Sequence, residues 1–540
     1  MALFPKLSFA LLHTTHQKLK TTELLLKTMM IKISIQKALK TGLFLILLVP
    51  LSIFAQNPQP NVVFIYMDDV GYGDLACYGA TSVKTPQADR LAKEGLRFTN
   101  AHSPAATCTP SRYALLTGEY PWRRSGTGVA QGDAPMIVTP ERYTLPDMFR
   151  QAGYTTAAVG KWHLGLGAKG SQNWNGVMSP GLNDIGFDYS YIMAATGDRV
   201  PCVFMENQKV ANLDPNDPIE VSYTKPFEGE PTGKNNPEML KLHPSHGHDQ
   251  ALINGVSRIG YMRGGKSALW HDENIADSIT LKAVKFIENN QKKPFFLYFA
   301  TNDIHVPRVP HQRFVGQTTM GARGDAIAEL DWSIGQILET LDKLGLTENT
   351  IVILTSDNGP VVDDGYKDQA VALLGNHKPA GILRGGKYSN FEAGTRVPFI
   401  IRFPKKIKKG VSDGLVCQID MMGSFATFLN QKLPDDAAPD SFDEAKSWFG
   451  KNKKGRDYLV AATNSGTLSI QKKGWKYIEP SKAAAYDKYT NIELGNNPKP
   501  QLYDLNKDIG EKINLADKNQ KKLGLLVTEL KVIRTGKRTR

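Results

Sequence analysis

Residues 61–71 read NVVFIYMDDVG, an apolar run rich in β-branched and aromatic side chains that stops on two adjacent carboxylates, Asp68 and Asp69. A run that is apolar on both faces reads as a strand buried on both sides, which is the habit of parallel sheets. The same texture returns in TTAAVG (155–160), PFFLYFAT (294–301), TIVILTS (350–356) and VPFIIRF (397–403). Helical patterns lie between them at 85–95, 144–153, 274–290 and 324–345. Two of these begin with a threonine just ahead of a proline and close at Gly95 and Gly153, in line with helix start and stop chemistry. Strands alternating with helices predict an α/β fold, a sheet sandwiched by helices. From about residue 435 the texture changes to short segments such as DYLVAATN, TLSIQKKGWKYIEP and QLYDL, with an amphipathic helix near 518–533. These predict a smaller α+β subdomain with an antiparallel sheet. The expected division is therefore a leader (1–55), a main body (56–434) and a C-terminal subdomain (435–540), with a loop-rich region at 197–272.

A chain of 540 residues with 41% hydrophobic and 22% charged side chains must bury a sizeable core and is not disordered. The formal charge of +13 invites a nucleic-acid or membrane-surface reading, but its distribution argues otherwise. Residues 1–55 carry +6 and residues 501–540 carry +5, leaving +2 for everything between. No basic stripe and no nucleic-acid motif occurs in that body, so nucleic-acid binding is rejected. Four cysteines exclude a disulfide-dense scaffold. Residues 31–56 show lysines, a short apolar run containing Pro50, and Ala55 before a polar stretch, the order of a secretory signal peptide. Cleavage is expected near Ala55–Gln56, with translation starting at Met29 or Met30, no stable membrane span after processing, and a periplasmic or secreted product.

In an α/β sheet, ligands gather at the carboxyl ends of the strands. Asp68 and Asp69 leave one predicted strand, and Asp357 and Asn358 leave another. Three carboxylates and an amide oxygen form a hard, all-oxygen set suited to Ca²⁺ or Mg²⁺, although each pair alone is also ordinary turn chemistry. Lys161 and His163 come just past a third strand, and in extended chain a spacing of two would put both on one face. His305 lies past a fourth. Lys387 sits in the glycine-rich LRGGKYSNFEAG (383–394), which could approach an anion closely. In HSPAATCTPSRYALLTG (102–118), Pro110 and the apolar spacing predict a helix amino terminus where Arg112 and backbone N–H groups favour an anion. Cys108 there would be expected to have a depressed pKa, against the alternative of an inert buried thiol.

Cys-Thr-Pro-Ser-Arg followed by Leu-Leu-Thr-Gly resembles the signature of the formylglycine-dependent sulfatases of the alkaline-phosphatase-like superfamily. The resemblance runs over most of residues 60–515, through Asp-Asp, GKWHLG, His305, Asp-Asn-Gly, the GGK loop and a C-terminal WKYI…QLYDL…EKINLA pattern in the family's order. It implies hydrolysis of sulfate esters on a sulfated polysaccharide or oligosaccharide, such as an algal glycan or a glycosaminoglycan. It further implies that a maturase converts Cys108 to Cα-formylglycine, whose hydrated geminal diol is the nucleophile. One calcium ion would be held by Asp68, Asp69, Asp357, Asn358 and the modified Cys108. Arg112 would hold the diol, Lys161 and Lys387 would grip sulfate oxygens, His163 would act as base, and His305 would protonate the leaving alcohol. Substrate contacts are expected from the irregular region, with Arg199 first and His243, His246, His248, Arg263 and Lys266 behind it. The competing readings are a phosphonate or phosphate monoester hydrolase of the same superfamily and, were Cys108 unmodified, a noncatalytic glycan-binding protein.

Overall fold

The computed structural model describes residues 21–34, 36–37, 59–463 and 465–540. Residues Met1–Gln59 and Pro60–Arg540 are separate units. In the first, residues 21–34 and 36–37 are helical, while the apolar run of the expected leader and the Ala55–Gln56 junction lie outside the described residues. Among the described residues, no helix is long and apolar enough to cross a membrane.

The second unit is built on a ten-stranded sheet. Its strands are β1 (Asn61–Met67), β2 (Leu96–Phe98), β3 (Thr155–Lys161), β4 (Tyr189–Met193), β5 (Phe204–Glu206), β6 (Lys209–Val210), β7 (Phe295–Ala300), β8 (Thr350–Ser356), β9 (Phe399–Arg402) and β10 (Gly410–Ser412). Across the sheet they run β10-β2-β9-β8-β1-β7-β3-β4-β5-β6. Five neighbours, β8, β1, β7, β3 and β4, are parallel, and β1, β7 and β8 are buried along their whole length. One expectation is corrected: the run VPFIIRF forms β9, which is antiparallel to both β8 and β2. Burial on both faces gives a strand the same apolar sequence whichever way it runs, so composition could not reveal its direction.

The covering helices are α1 (Pro86–Glu94), α2 (Cys108–Thr117), α3 (Leu145–Gln151), α4 (Ile275–Asn290) and α5 (Gly321–Lys343). Thr144 caps α3 in a reciprocal capping box with Asp147, which accounts for that sharp start. Side chains from helices and strands interlock, as where Phe149 of α3 stacks on Phe296 of β7 at 4.2 Å between ring centroids. Further along the chain stands a separate four-stranded antiparallel sheet: β11 (Tyr458–Ala462), β12 (Leu468–Lys472), β13 (Trp475–Ile478) and β14 (Gln501–Asp504). The closing helix α6 (Gln520–Thr535) packs Leu523, Leu526, Leu530 and Ile533 into the core of that sheet.

A buried charge network ties this small sheet to the main body. Lys476 of β13 places Nζ 3.0 Å from Glu392 Oε1 and 3.1 Å from Glu511 Oε1, and the Glu392 backbone N–H donates to Glu511 Oε2 at 2.6 Å. Glu392 also pairs with Arg396 Nη1 at 3.1 Å, so of the two carboxylates Glu511 is the less compensated. Burial pushes Glu511 up to about 7, while at Glu392 burial is outweighed by Lys476, His102 and Arg396 together, which hold it down at about 2.

A second network fixes the loop after Asp69. Asp74 is fully buried, and its two oxygens accept Arg323 Nη1 and Nη2 of α5 at 2.8 and 2.9 Å, His377 Nε2 at 2.8 Å and the Gly71 backbone N–H at 2.8 Å. Removing one partner of a buried pair leaves an uncompensated charge, which costs about 3–5 kcal/mol. Arg323→Ala is therefore expected to lower the melting temperature by several degrees. An unchanged thermal melt would show that Arg323 is not needed there.

Candidate active site

Strand register brings the polar residues together. Met67 of β1 pairs with Ser356 of β8, so Asp68 and Asp357 leave adjacent parallel strands at one level. Ala300 of β7 lies opposite both Tyr66 of β1 and Gly160 of β3, so His305 and Lys161 leave the same sheet edge. Gly160 has φ +103°, and a Cβ there would sit 1.8 Å from the Ala300 carbonyl oxygen, so no larger residue could precede Lys161 in this register. Backbone bonds from the Asp68 N–H to Asp303 O at 3.1 Å and from the Asp357 N–H to Met67 O at 3.1 Å hold the exits in place.

The carboxylates carry a dense set of cations. Lys161 Nζ is 2.5 Å from Asp68 Oδ2 and 4.0 Å from Asp357 Oδ2. Lys387 Nζ is 2.8 Å from Asp69 Oδ2 and 2.9 Å from Asp364 Oδ2. Arg112, fully buried on α2, donates Nε and Nη2 to Asp357 Oδ2 at 3.0 and 2.7 Å and lies over the Tyr66 ring. Burial, together with Asp357 and Asp69, pushes Asp68 up to about 8 although Lys161 opposes it. At Asp69 burial loses to Lys387, His305 and Lys161, and the carboxyl falls well below its usual range.

Two acceptors in this cluster, Asp68 Oδ1 and Asn358 Oδ1, are buried and make no hydrogen bond among the described residues. Asn358 turns its Nδ2 to Asp69 Oδ1 at 2.7 Å, which leaves its own oxygen for something else. Carboxylate oxygens of Asp68 and Asp69 and a ring nitrogen of His305 lie within 4.8 Å of one another. Orphaned buried oxygens among mutually repelling carboxylates fit a hard divalent cation.

Cys108 opens α2, and the Cys108 side chain is buried at 2% exposure. The helix start is as read from Pro110, but the expected depressed thiol pKa is corrected. Burial raises it, against the opposing pull of Lys161 and Lys387. The reading of Lys161 and His163 as one extended face also fails, because β3 ends at Lys161 and the chain turns left-handed at His163, with φ 58°. His163 is nonetheless close enough for Lys161, after burial itself, to hold its pKa well below the usual histidine value. Its Nε2 faces the Ala130 carbonyl at 2.9 Å, so Nε2 carries the proton, and the buried Nδ1, which has no hydrogen-bond partner among the described residues, offers a lone pair. His305 is arranged the other way round. Its Nδ1 donates to Val306 O at 2.7 Å, and its Nε2 is 3.9 Å from Asp69 Oδ2. Burial, Lys387 and Lys161 bring it down to about 4.

Beside this cluster lies a cavity of about 590 Å³ whose walls include Arg199, His246, His248, Asp364, Tyr388 and Tyr489. Of the loop residues singled out in the sequence, Arg199, His246 and His248 reach it. Arg263 instead pairs with Glu220 at 2.5 Å, and the exposed His243 and Lys266 do not line it. Sequence reasoning missed Asp198, which accepts Arg199 Nη1 at 2.9 Å and His248 Nε2 at 3.0 Å and lies 4.0 Å from His305 Nδ1. It missed Asp364 as well, and the wall supplied by Thr463, Ser465 and the stretch from Ala483 to Asn496. Asp198 stands next to Arg199 in GDRVPC, and that adjacency was the one signal available.

A sheet that delivers acids, lysines and histidines to one edge, against a helix that opens on a buried cysteine and arginine, is the architecture of the sulfatases. The sulfatase family model matches residues 60–430, so the chain belongs to that family and is a sulfuric ester hydrolase. It is 54% identical over 481 residues to the N-acetylgalactosamine-6-O-sulfatase of Bacteroides thetaiotaomicron, covering 89% of this chain and 94% of that protein. It is 31% identical to human arylsulfatase A, covering 84% and 83% of the two chains. A solved Bacteroides thetaiotaomicron sulfatase structure, described with the metabolism of multiple glycosaminoglycans, superposes with a TM-score of 0.88 at 54% identity, covering 89% of this chain and all of that one.

Proposed function

We propose that the protein is an exported glycan sulfatase that hydrolyses the 6-O-sulfate ester of N-acetylgalactosamine units. The observation that carries this reading is the 54% identity, over 89% of the chain, to a sulfatase named for that activity. Asp68, Asp69, Asp357 and Asn358 would hold one calcium ion together with residue 108, and a maturase would convert Cys108 to Cα-formylglycine. When present, calcium supplies Lewis acidity and formylglycine supplies a hydrated aldehyde as nucleophile. Arg112, locked on Asp357, fixes the position and charge of residue 108. Lys161 and Lys387 present ammonium groups to the sulfate oxygens, where negative charge grows. His163 accepts a proton at Nδ1, the atom its bond to Ala130 leaves free. His305 delivers a proton from Nε2 to the leaving sugar oxygen. A bound sulfate offsets Lys387 and Lys161 and so raises His305 from its depressed value. Arg199 contacts the sugar in the adjoining cavity. Export rests on the leader pattern of residues 31–56, with cleavage near Ala55–Gln56 and a periplasmic or secreted product.

Sulfate release from a panel of N-acetylgalactosamine 6-sulfate, N-acetylgalactosamine 4-sulfate and N-acetylglucosamine 6-sulfate tests the substrate. The first is expected to be preferred at least about tenfold in kcat/KM, and preference for another member overturns it. The metal is tested separately. Calcium at a hundredfold excess over its Kd stabilises a folded protein by about 2.7 kcal/mol, so a chelator should lower the melting temperature and calcium should restore it. A melt indifferent to both would remove calcium from the proposal.

A further inference from the structure

We propose that a second, smaller cavity beside the first turn of α2 is a neighbouring sugar subsite, in which Arg124 binds an anionic substituent, a carboxylate or a sulfate. This rests on the glycan reading above and deepens it, because it makes the substrate charged on the sugar next to the one that loses sulfate. The cavity has a volume of about 230 Å³, and its walls include Ala105, Thr107, Pro110, Arg124, Gly126 and Thr463. Thr107 and Pro110 flank Cys108, so this space adjoins the reacting position. It meets the larger cavity at Thr463, which lines both, and at Gly128 and Val129, consecutive residues that line one each. A chain lying across the reaction centre would fill both.

Arg124 is the one charged side chain lining the smaller cavity among the described residues. Its backbone is fixed: the N–H donates to Pro121 O at 3.2 Å, and the carbonyl accepts Thr127 Oγ1 at 3.0 Å. The Arg124 side chain is exposed, lies within electrostatic reach of Tyr113, and makes no hydrogen bond or ion pair among the described residues. The preceding Arg123 shows the contrast, because its Nε and Nη2 are bound to Asp440 at 2.7 and 2.9 Å and serve the fold. At Gly126, with φ +82°, a Cβ would meet open space, so nothing fills the loop edge. An arginine with an anchored backbone and no ion pair, lining a cleft, suits a planar carboxylate or a sulfate, and the two share the same bidentate chemistry.

Disaccharides of 6-O-sulfated N-acetylgalactosamine joined to glucuronic acid, to sulfated galactose or to neutral galactose test this. The wild type is expected to favour one or both charged neighbours about tenfold in kcat/KM at low salt, a preference that shrinks as salt is added. Arg124→Ala should bring the ratio of charged to neutral close to one, and Arg124→Lys should keep part of it. Preference in the uronate arm alone assigns a carboxylate, and preference in the sulfated-galactose arm alone assigns a sulfate. Calorimetric binding of the same disaccharides lacking the 6-O-sulfate gives the ratio without turnover. An enzyme that released no sulfate would overturn the function proposed above while the binding ratio still decided Arg124. A wild-type ratio near one, or a ratio unmoved by Arg124→Ala, overturns the subsite.

Discussion

Cys108→Ala is expected to abolish sulfate release, lowering kcat by about 10⁴-fold or more, as removal of a catalytic nucleophile does. The fold should survive, because the change removes only a few buried atoms from residue 108, and the unmodified thiol contributes no charge to the structure. Its pKa is raised, so the thiol is neutral near pH 7 and makes no ion pair with Lys161 or Lys387. A thermal melt within a few degrees of wild type, with no turnover on any sulfated sugar, is the expected pair of results. Mass spectrometry of the peptide that carries Arg112 completes the test. Full activity in a wild-type preparation holding only unmodified cysteine would sink the formylglycine proposal, whatever the alanine variant does.

The second large effect concerns His305. Loss of a general acid costs about 10²–10⁴-fold, and the cost depends on how badly the departing oxygen needs the proton. A sugar alcohol is a poor leaving group and an acidic phenol a good one. His305→Ala should therefore lose most of its kcat on a sugar sulfate and little on a nitrophenyl sulfate, provided the wild type turns over both. Equal losses would point to binding or charge balance instead, since His305 also stands 3.9 Å from Asp69 and 4.0 Å from Asp198.

Much of the site was legible because its residues stand at strand exits. NVVFIYM and TIVILTS announce themselves as buried strands, and residues just past the end of such a strand in an α/β sheet fall at the ligand-binding edge. Asp68, Asp69, Asp357 and Asn358 were visible for that reason. Asp364 and Asp198 were not, because each lies in a loop with no periodicity, and its importance comes from partners far away in sequence: Lys387 for one, His248 and His305 for the other. The wall formed by Thr463, Ser465 and the stretch from Ala483 to Asn496 was hidden in the same way. The thiol of Cys108 was misjudged because a helix amino terminus and nearby lysines are visible in sequence, whereas the depth of burial that outweighs them is a property of the folded chain.

The 2% exposure of Cys108 also sets an order of events. A side chain so enclosed is out of reach of another enzyme's active site, so the conversion proposed for it belongs to the interval before the chain closes. That interval ends late. The cavity beside Cys108 is walled in part by Ala462, Thr463 and Gly466, and the ion pairs that bind the small sheet to the main body wait for Lys476 and Glu511. The chain between Ala462 and Glu511, more than 350 residues beyond Cys108, would thus set how long residue 108 stays available to the proposed maturase, and chains that fold quickly would escape modification.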